Sequence, residues 1–267
     1  MAGRGRAGRD SVRGVIDASP GALVFLLVAG LLAGGINGVA GGGSLLVFPA
    51  LLAVGFSPLA ANVTNSVAQW PGYVGIVAGT RKDLVGQRRR VLHTVPVAAV
   101  GSAVGCVLLL VLPDAVFDAV VPALVLAASA LTALGPRIRT WIGTPEPGAP
   151  DRLVTLLPAV FFAGVYGGYF GGALGVILIA TLQLCTNDTL RRLNALKALL
   201  TLLVATVTVV IFAVGAPVDW LAVALLAPTT LVGGYLGGAL ARRLPETVLR
   251  WSVVVVGTAV GVYLIVT

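Results

Sequence analysis

A polytopic, all-α membrane protein is the fold class that this sequence predicts, and two observations carry the prediction. Of the 267 residues, 58% are hydrophobic and only 10% are charged, and the mean hydropathy is +1.01. Soluble domains carry about 25% charged residues, so the charges here are too few to coat a water-exposed surface. No charged residue occurs between positions 20 and 80, although one helical crossing needs only about 20 apolar residues. A soluble enzyme, a DNA-binding domain and a disulfide scaffold are thereby excluded.

The positive charge lies in short clusters rather than on one surface. The chain carries 18 Lys and Arg against 10 Asp and Glu, a net charge of +8. These basic residues fall between apolar runs, as in cytoplasmic loops that follow the positive-inside rule. The pattern predicts a lipid bilayer as partner and argues against nucleic acid, which needs a basic stripe on a foldable domain. We expect a multi-pass protein of the cell inner (plasma) membrane in which residues 1–20 form a basic N-terminal tail.

Ten apolar segments follow one another, which predicts eight to ten transmembrane segments. They span residues 21–38, 43–54, 62–79, 91–112, 115–135, 153–170, 172–186, 194–214, 219–240 and 247–266. The first and second segments, and likewise the sixth and seventh, are too short for two full crossings of about 20 residues each. Glycines join each of these pairs, so each pair is either two short tilted helices or a broken, re-entrant hairpin at the start of its half.

The chain divides into two similar halves, residues 21–135 and 153–267, joined by a Pro/Gly-rich linker at 136–152. A shift of 130 residues places Gly34, Gly38, Gly41 and Gly42 on Gly164, Gly168, Gly171 and Gly172. A shift of 132 places Asn62, Pro96, Gly101, Gly105 and Pro113 on Asn194, Pro228, Gly233, Gly237 and Pro245. Because each half holds five segments, an odd number, we expect two membrane repeats that are inverted relative to one another, as in many secondary transporters.

The charged loops are consistent with this arrangement. The clusters at 81–90, 137–152, 191–197 and 242–250 all face the cytoplasm if each glycine-linked pair returns to its starting side. The same layout places both termini outside, which disagrees with the four arginines of the tail, so the sidedness of the termini stays open.

A run of three glycines marks the first candidate binding element. Gly41, Gly42 and Gly43 break a helix inside an apolar region, and Ser44 is suited to cap the helix that follows. Backbone N–H groups at a helix start, aided by the helix dipole, form an anion site. Asn37 in the same stretch, and the second-half counterparts Gly171 and Gly172, belong to the same candidate substrate site. The alternative is that the glycines only allow close helix packing.

A second polar group opens the third segment and completes the candidate site. It consists of Asn62, Thr64, Asn65, Ser66 and, one turn on, Gln69. Its counterpart in the second half contains Asn194 and Lys197, with Lys197 in the position of Asn65. A lysine at membrane depth costs about 2.5–3.5 kcal/mol and is usually functional, so Lys197 is the candidate counter-charge for an anion. The alternative is that Lys197, five residues beyond Arg192, extends its amine to the membrane surface.

The sequence lacks the residues that several kinds of chemistry require. The acidic residues outside the basic clusters lie near loop ends, so none is clearly embedded to relay protons. No nucleotide-binding P-loop, HExxH or GxSxG motif is present. We therefore expect no enzyme activity, no ATP hydrolysis by this chain alone, no cofactor and no metal site.

Three stretches match the motifs of one known family: the run from Gly35 to Gly43 with Pro49 and Leu51; the residues Gly55, Pro58, Ala61 and Asn65-Ser66; and Arg191-Arg192-Leu193-Asn194-Ala195-Leu196-Lys197. In these stretches the chain resembles the TauE/SafE sulfite exporter family. The resemblance implies a secondary transporter, an exporter of small sulfur-containing oxyanions such as sulfite or organosulfonates. The second half departs from the pattern, with Ala173 in place of the third glycine and Ile179 in place of the proline.

Two other functions remain to be weighed against an anion carrier. One is a non-transporting membrane subunit that anchors a partner protein. The other is a carrier for a different small ion, such as a cation or metal, although embedded carboxylates, His and Cys, the usual ligands, are scarce. The sequence leaves open which anion is carried, what ion is coupled to it and whether the chain forms a homo-oligomer.

Overall fold

The computed structural model describes residues 19–39, 41–142, 150–240 and 246–266, and within these ranges it is built from helices without a β-strand. The α-helices are α1 (Pro20–Val39), α2 (Ser44–Ala53), α3 (Pro58–Ala68), α4 (Trp70–Thr80), α5 (Arg88–Val111), α6 (Asp114–Ile142), α7 (Leu153–Tyr169), α8 (Leu174–Cys185), α9 (Leu190–Gly215), α10 (Trp220–Leu240) and α11 (Glu246–Val266). A short 3-10 helix, Arg81–Leu84, joins α4 to α5.

Four helices in the described ranges, α1, α5, α6 and α9, are long and apolar enough to cross a membrane. The others include shorter apolar helices. Among these, α2 has 10 residues and α8 has 12, which at 1.5 Å per residue span only about half of the roughly 30 Å hydrocarbon core. The prediction of an all-α polytopic membrane protein is confirmed. The predicted basic tail, apart from its last two residues, lies outside the described residues.

Two predicted boundaries differ from the structure. The third segment, predicted as one run over 62–79, begins at Pro58 and is divided into α3 and α4 at Gln69. The break follows from Pro71 in the first turn of α4, because proline has no N–H to continue the ladder of α3. The predicted linker 136–152 begins inside a helix, since α6 continues through Pro136 to Ile142.

In both halves the glycine-linked pair consists of two helices joined by a turn, and we call each pair a broken hairpin whether it crosses the membrane or re-enters it. The chain turns between α1 and α2 at Gly41 with φ +79°, and between α7 and α8 at Gly171 with φ +77°. These two residues correspond at the shift of 130, so the matched glycines adopt the same left-handed backbone, which favours glycine. Ala173, in the place of the third glycine, also has a positive φ of +57°.

Each half packs its first helix against the helix of the fourth predicted segment of the other half. In one pair, α1 lies on α10, and in the other, α7 lies on α5. Glycines stand at both crossings: Gly34 meets the backbone of Gly233, and Gly164 meets that of Gly101. Gly34 corresponds to Gly164 at the shift of 130, and Gly101 corresponds to Gly233 at the shift of 132. The two contacts are therefore equivalent, and the sequence repeat reappears as a repeat of helix contacts. The inversion of the repeats in the membrane stays a prediction.

Two groups of buried apolar side chains include residues of the broken hairpins. The first joins α1, α2, α3, α6 and α10 around Phe48, Leu51 and Leu226, and it also contains Phe170 and Val176 of the second hairpin and residues of α5, α9 and α11. The second joins α5, α7, α8 and α9 around Leu156, Leu178 and Leu200. Helix α4 contacts both α10 and α9, so it lies where the two groups meet. The hairpins touch there as well, since the rings of Phe48 and Phe170 are edge-to-face with centroids 5.6 Å apart.

An ion cluster ties together three loops at one end of the bundle. Arg90 Nε donates to Asp151 Oδ2 at 2.7 Å, and Arg90 also pairs with Asp188. Asp188 accepts from Arg192 Nε at 2.9 Å. The hydrogen bond from Arg90 lowers the pKa of Asp151. The cluster brings together charges from the predicted loops 81–90, 137–152 and 191–197, as expected if these loops share one side of the membrane.

Replacing Gly105 by alanine is expected to destabilise the α5–α7 pair. A Cβ there would lie 2.0 Å from the Val165 carbonyl oxygen, and overpacking of this kind costs about 1–3 kcal/mol. Thermal unfolding of the purified protein in detergent measures the loss. The matched control is Gly79→Ala, whose Cβ would meet nothing within 4 Å. Equal melting temperatures for the two variants would contradict the packing role.

Removing the central guanidinium by Arg90→Gln should lower stability by roughly 2 kcal/mol, because hydrogen bonds to charged groups each contribute about 1.5–3 kcal/mol. The control Arg191→Gln removes the Arg191–Asp83 pair, in which the arginine side chain is 76% exposed, and should cost less than about 1 kcal/mol.

The stabilisation by the Arg90–Asp151 pair should also depend on pH. Because the pKa of Asp151 is lowered by folding, its contribution to the free energy of unfolding is present above the ordinary carboxyl pKa and is lost as pH falls through the lowered value. Chemical or thermal unfolding at pH 7 and at acidic pH measures both effects, and an Arg90→Gln variant as stable as Arg191→Gln would contradict them.

Candidate functional site

A narrow polar cavity lies between the two broken hairpins and α3, α4 and α9. The volume open to the centre of a water molecule is about 30 Å³. The first half contributes Ser44, Ser66, Gln69 and Tyr73, and the second half contributes Gly167, Phe170, Gly171, Leu174, Thr201, Val204, Ala205 and Thr208. Both halves therefore line one space, at the ends of the shortest helices.

A smaller cavity adjoins the first and shares Tyr73, Gly171 and Thr201 with it. Its open volume is about 10 Å³. The other lining residues are Asn37, Gly41, Ile76, Gly175, Lys197 and Ala198. The two cavities form one site with Tyr73 between them, and we call them the serine cavity and the lysine cavity after Ser44 and Lys197.

Lys197 points into the protein and not to the membrane surface. Its residue is only 5% exposed, and it lines the lysine cavity beside Gly41 and Gly171. Of the two sequence-based alternatives, the structure shows the buried one. Among the described residues that line the two cavities, Lys197 is the one with a charged type of side chain.

The backbones of the two hairpins touch next to this lysine. A Cβ built on Gly41 would lie 2.9 Å from the Gly175 Cα, and a Cβ built on Gly175 would lie 2.9 Å from the Gly41 Cα. Neither residue therefore has room for a side chain. The contact brings the start of α8 against the turn before α2 and closes one wall of the lysine cavity.

A network of buried amides organises the first-half wall. Asn37 Oδ1 accepts from the Gly43 N–H at 2.8 Å, so the Asn37 side chain satisfies one backbone donor at the start of α2. Gln69 Oε1 accepts from Asn37 Nδ2, and Gln69 Nε2 donates to Ser44 Oγ at 2.9 Å and to Asn65 Oδ1. The break between α3 and α4 thus places Gln69 where it joins α1, α2 and α3.

The prediction that Ser44 caps α2 is wrong. Gly43 is the N-cap and makes no side-chain capping bond, while Ser44 is already the first helical residue. Its hydroxyl accepts from Gln69 and lines the serine cavity. The Asn37 side chain, which belongs to the preceding helix, instead accepts from the Gly43 N–H at the start of α2.

Several predicted site residues lie beside the cavities without lining either of them. Asn62 Nδ2 donates to the Tyr169 carbonyl at 2.9 Å, and Thr64 Oγ1 accepts from the Asp219 N–H at 3.1 Å. Asn194 is half-buried on α9. Gly42, Gly43, Asn65 and Gly172 are not among the lining residues. The lining members of the predicted set are Asn37, Gly41, Ser44, Ser66, Gly171 and Lys197.

Three polar lining residues were not among the predicted ones, namely Tyr73, Thr201 and Thr208, whereas Gln69 of the predicted polar group lines the serine cavity. Thr201 corresponds to Gln69 at the shift of 132, so the repeat offered a signal for it. The sequence offered no signal for Tyr73, because the residue at the shift of 132 is Ala205 and because α3 and α4 were predicted as one segment. The hydroxyl of Tyr73 lies beside Ser44 and Asn37.

The comparisons with known proteins agree on one group of proteins. The family model described as "Sulfite exporter TauE/SafE" matches residues 26–264. A "Probable membrane transporter protein" of Haemophilus influenzae is 25% identical over 239 residues, covering 87% of this chain and 90% of the relative. The "Probable membrane transporter protein YfcA" of Escherichia coli is 29% identical over 259 residues, covering 92% and 91%. No solved structure matches this chain.

Replacing Gln69 by leucine is expected to destabilise the protein, because it removes the partner of Asn37, Ser44 and Asn65 together. Each buried polar group left without a partner costs about 1–3 kcal/mol. The matched control is Gln183→Leu on α8, where Oε1 has no hydrogen-bond partner, so its removal should be nearly neutral. Thermal unfolding in detergent compares the two, and a Gln69→Leu variant that melts with the control would show that the network contributes little.

Proposed function

The chain belongs to the sulfite exporter TauE/SafE family, and from this premise we propose that it is a secondary transporter, an exporter of small sulfur-containing oxyanions such as sulfite or organosulfonates across the plasma membrane. It is a multi-pass membrane transporter rather than an enzyme, in agreement with the names of its relatives. The anionic substrate, the inner membrane and the direction belong to the proposal. The carrying observation is the buried Lys197 in a cavity between two broken hairpins.

The charge of Lys197 supports an anionic substrate. Hosting an ammonium at membrane depth costs about 2.5–3.5 kcal/mol, and an interaction with a bound anion offsets that cost. The cavity walls around it are mostly backbone and uncharged side chains, including Asn37, Tyr73 and Thr201. An anion entering this space meets a low-dielectric environment in which the attraction to the lysine is stronger than in water.

The helix starts at the site add to the attraction. Helices α2 and α8 begin at Ser44 and Leu174, and both residues line the serine cavity. The N-terminal end of a helix carries a partial positive charge, and half-helices whose starts meet near the midplane recur in transporters of anionic substrates. The two short helices thereby contribute attraction from both halves of the chain.

Alternating access would use the two groups of buried side chains as moving bodies. The group around α1, α2 and α10 and the group around α5, α7 and α8 meet at the cavity. Rocking of one group against the other opens the cavity to one side of the membrane at a time. Helix α4, which contacts both groups and carries Tyr73, would follow this motion.

The predicted substrate site is retained in the proposal with distinct roles for its members. Gly41, Gly171, Ser44, Ser66 and Lys197 would contact the anion. Asn37, which lines the lysine cavity, would hold the start of α2 through the Gly43 N–H. The remainder would position these residues as a supporting layer: Gly42, Gly43, Asn62, Thr64, Asn65, Gly172 and Asn194. Loss of a supporting residue would then act through stability and affinity together.

Lys197→Met should lower sulfite efflux from preloaded proteoliposomes at least tenfold, because the counter-charge of the anion is lost while the volume of the side chain is kept. The matched control is Lys82→Met, the same change at an exposed lysine of the 3-10 helix, which should leave efflux unchanged. Thermal unfolding in detergent is measured for both variants, so that a loss of folded protein is distinguished from a loss of transport.

Two results would contradict the proposal. Wild-type efflux by Lys197→Met would remove the lysine from the site. No flux of sulfite, thiosulfate or small sulfonates by the purified wild-type chain would instead favour a non-transporting membrane subunit, which should co-purify with another protein.

A further inference from the structure

We propose that the C-terminal end of α7 binds a monovalent alkali cation, Na⁺ or K⁺, next to the serine cavity. Its ligands would be the side-chain oxygen of Asn62 and the backbone carbonyls of Gly168 and Tyr169. The bound cation would raise the affinity of the neighbouring cavity for an anion. This second step rests on the proposed function, whereas the cation site itself does not.

The side-chain oxygen of Asn62 is buried and accepts no hydrogen bond. Asn62 is only 1% exposed, and within the described part of the chain its Oδ1 has no hydrogen-bond partner. The orientation of the amide is fixed, because Nδ2 donates to the Tyr169 carbonyl at 2.9 Å and a flipped amide would place two acceptors against each other. Both atoms belong to one planar amide, so Oδ1 lies beside this hydrogen bond, at the end of α7.

The end of α7 adds further acceptors. The N–H groups of Phe170 and Gly171 both donate to the Tyr166 carbonyl, at 2.9 and 3.1 Å. Among the described residues, no hydrogen bond reaches the carbonyls of Gly167 and Gly168, although both residues are buried. The last carbonyls of a helix carry its partial negative charge, and inside a membrane protein they need a partner. The unpaired groups at this place are acceptors, which a cation satisfies and an anion does not.

The chemical type of these ligands selects a monovalent alkali ion. Amide and carbonyl oxygens are neutral, whereas Ca²⁺ and Mg²⁺ sites use carboxylates and transition-metal sites use imidazole or thiolate. No group of three or more His, Cys, Asp or Glu that could hold a metal ion occurs within the described ranges. The carbonyl ends of half-helices are a known type of Na⁺ site in transporters. The predicted absence of a metal site was based on the charged and sulfur ligands and does not concern backbone oxygens.

Two contacts place acidic segments near this site. The ring of Phe117, in the first turn of α6, has its centroid 5.7 Å from that of Tyr169. On α3, Thr64 Oγ1 accepts from the Asp219 N–H at 3.1 Å. The segments 112–118 and 216–219, to which these partners belong, contain three aspartates and no Lys or Arg. Their negative potential attracts a cation to this end of the protein.

The cation site adjoins the serine cavity on two sides. Ser66, one turn after Asn62 on α3, lines this cavity, and its Oγ donates to the Asn62 carbonyl at 2.9 Å. Gly167, Phe170 and Gly171, at the end of α7, line it as well. A cation at the end of α7 and an anion in the cavity attract each other in a low-dielectric environment. By linkage, each ligand raises the affinity of the protein for the other by the same factor.

Binding of the cation is tested on the purified full chain in detergent. The melting temperature is measured as NaCl or KCl replaces choline chloride at constant ionic strength. We expect a saturable rise with at least one of the two alkali salts, because a ligand that binds the folded state stabilises it. Comparison of the NaCl and KCl curves identifies the ion. Equal melting temperatures in all three salts would overturn the inference and leave the proposed function standing.

Asn62→Asp is the decisive variant, because it keeps an oxygen at the site and adds a negative charge. At mildly alkaline pH it should lower the half-saturating cation concentration at least about tenfold, a gain that a merely structural role of Asn62 does not predict. Asn62→Leu should abolish the saturable rise. The matched control is Gln183→Leu, which removes another buried side-chain oxygen without a hydrogen-bond partner and should keep the wild-type value. An unchanged half-saturating concentration in Asn62→Asp would overturn the assignment of Asn62 as a ligand.

The effect on the anion is tested by sulfite efflux from preloaded proteoliposomes that contain the same salt on both sides, so that no cation gradient drives transport. The KM for sulfite should be at least about fivefold lower in the stabilising salt than in choline chloride, as coupling between two binding sites predicts. Equal KM values in all salts would overturn the link between the cation and the anion. No flux in any salt would overturn the proposed function, whereas the melting curves would still decide whether the cation binds.

Discussion

The close backbone contact between helices of opposite halves is the constraint on which the rest of the structure depends. In a bilayer, apolar side chains gain nothing by leaving lipid for another helix, so association relies on close packing. Glycines supply it here: a Cβ on Gly233 would lie 2.1 Å from the Leu31 carbonyl, and one on Gly168 would lie 2.1 Å from the Ser102 carbonyl. The pairs α1–α10 and α5–α7 therefore interlock the two halves.

The cavity is a consequence of that interlocking. Once α1 and α7 are held by helices of the other half, the chain after each must turn back within the bundle, and it does so at Gly41 and Gly171. The turns bring Gly41 against Gly175 and the ring of Phe48 against that of Phe170, so the two hairpins touch. Non-helical backbone at this depth is tolerated only where it is buried in protein or lines a cavity, and both conditions hold at these turns.

Polarity within the cavity is unequal although its backbone is repeated. The side-chain amides of Asn37 and Gln69 hydrogen-bond to each other, and they also bond to the start of α2. These bonds hold α2 and the α3–α4 break in place and position the hydroxyl of Ser44. The second half has no such network at the corresponding positions, since Gly167 and Thr201 stand there.

By itself, the sequence determined the membrane class, the two similar halves, the glycine breaks and the candidate lysine. Each of these depends on composition, spacing or residue type, which a single chain displays directly. Tertiary structure alone decided which polar residues line the cavity and which support it. Asn37 and Gln69 are 32 positions apart, and Asn62 bonds a carbonyl 107 positions away. Such partners are chosen by the crossing of helices, and side-chain amides can cap, bridge or face a ligand with equal local propensity, so only the packed chain distinguishes these roles.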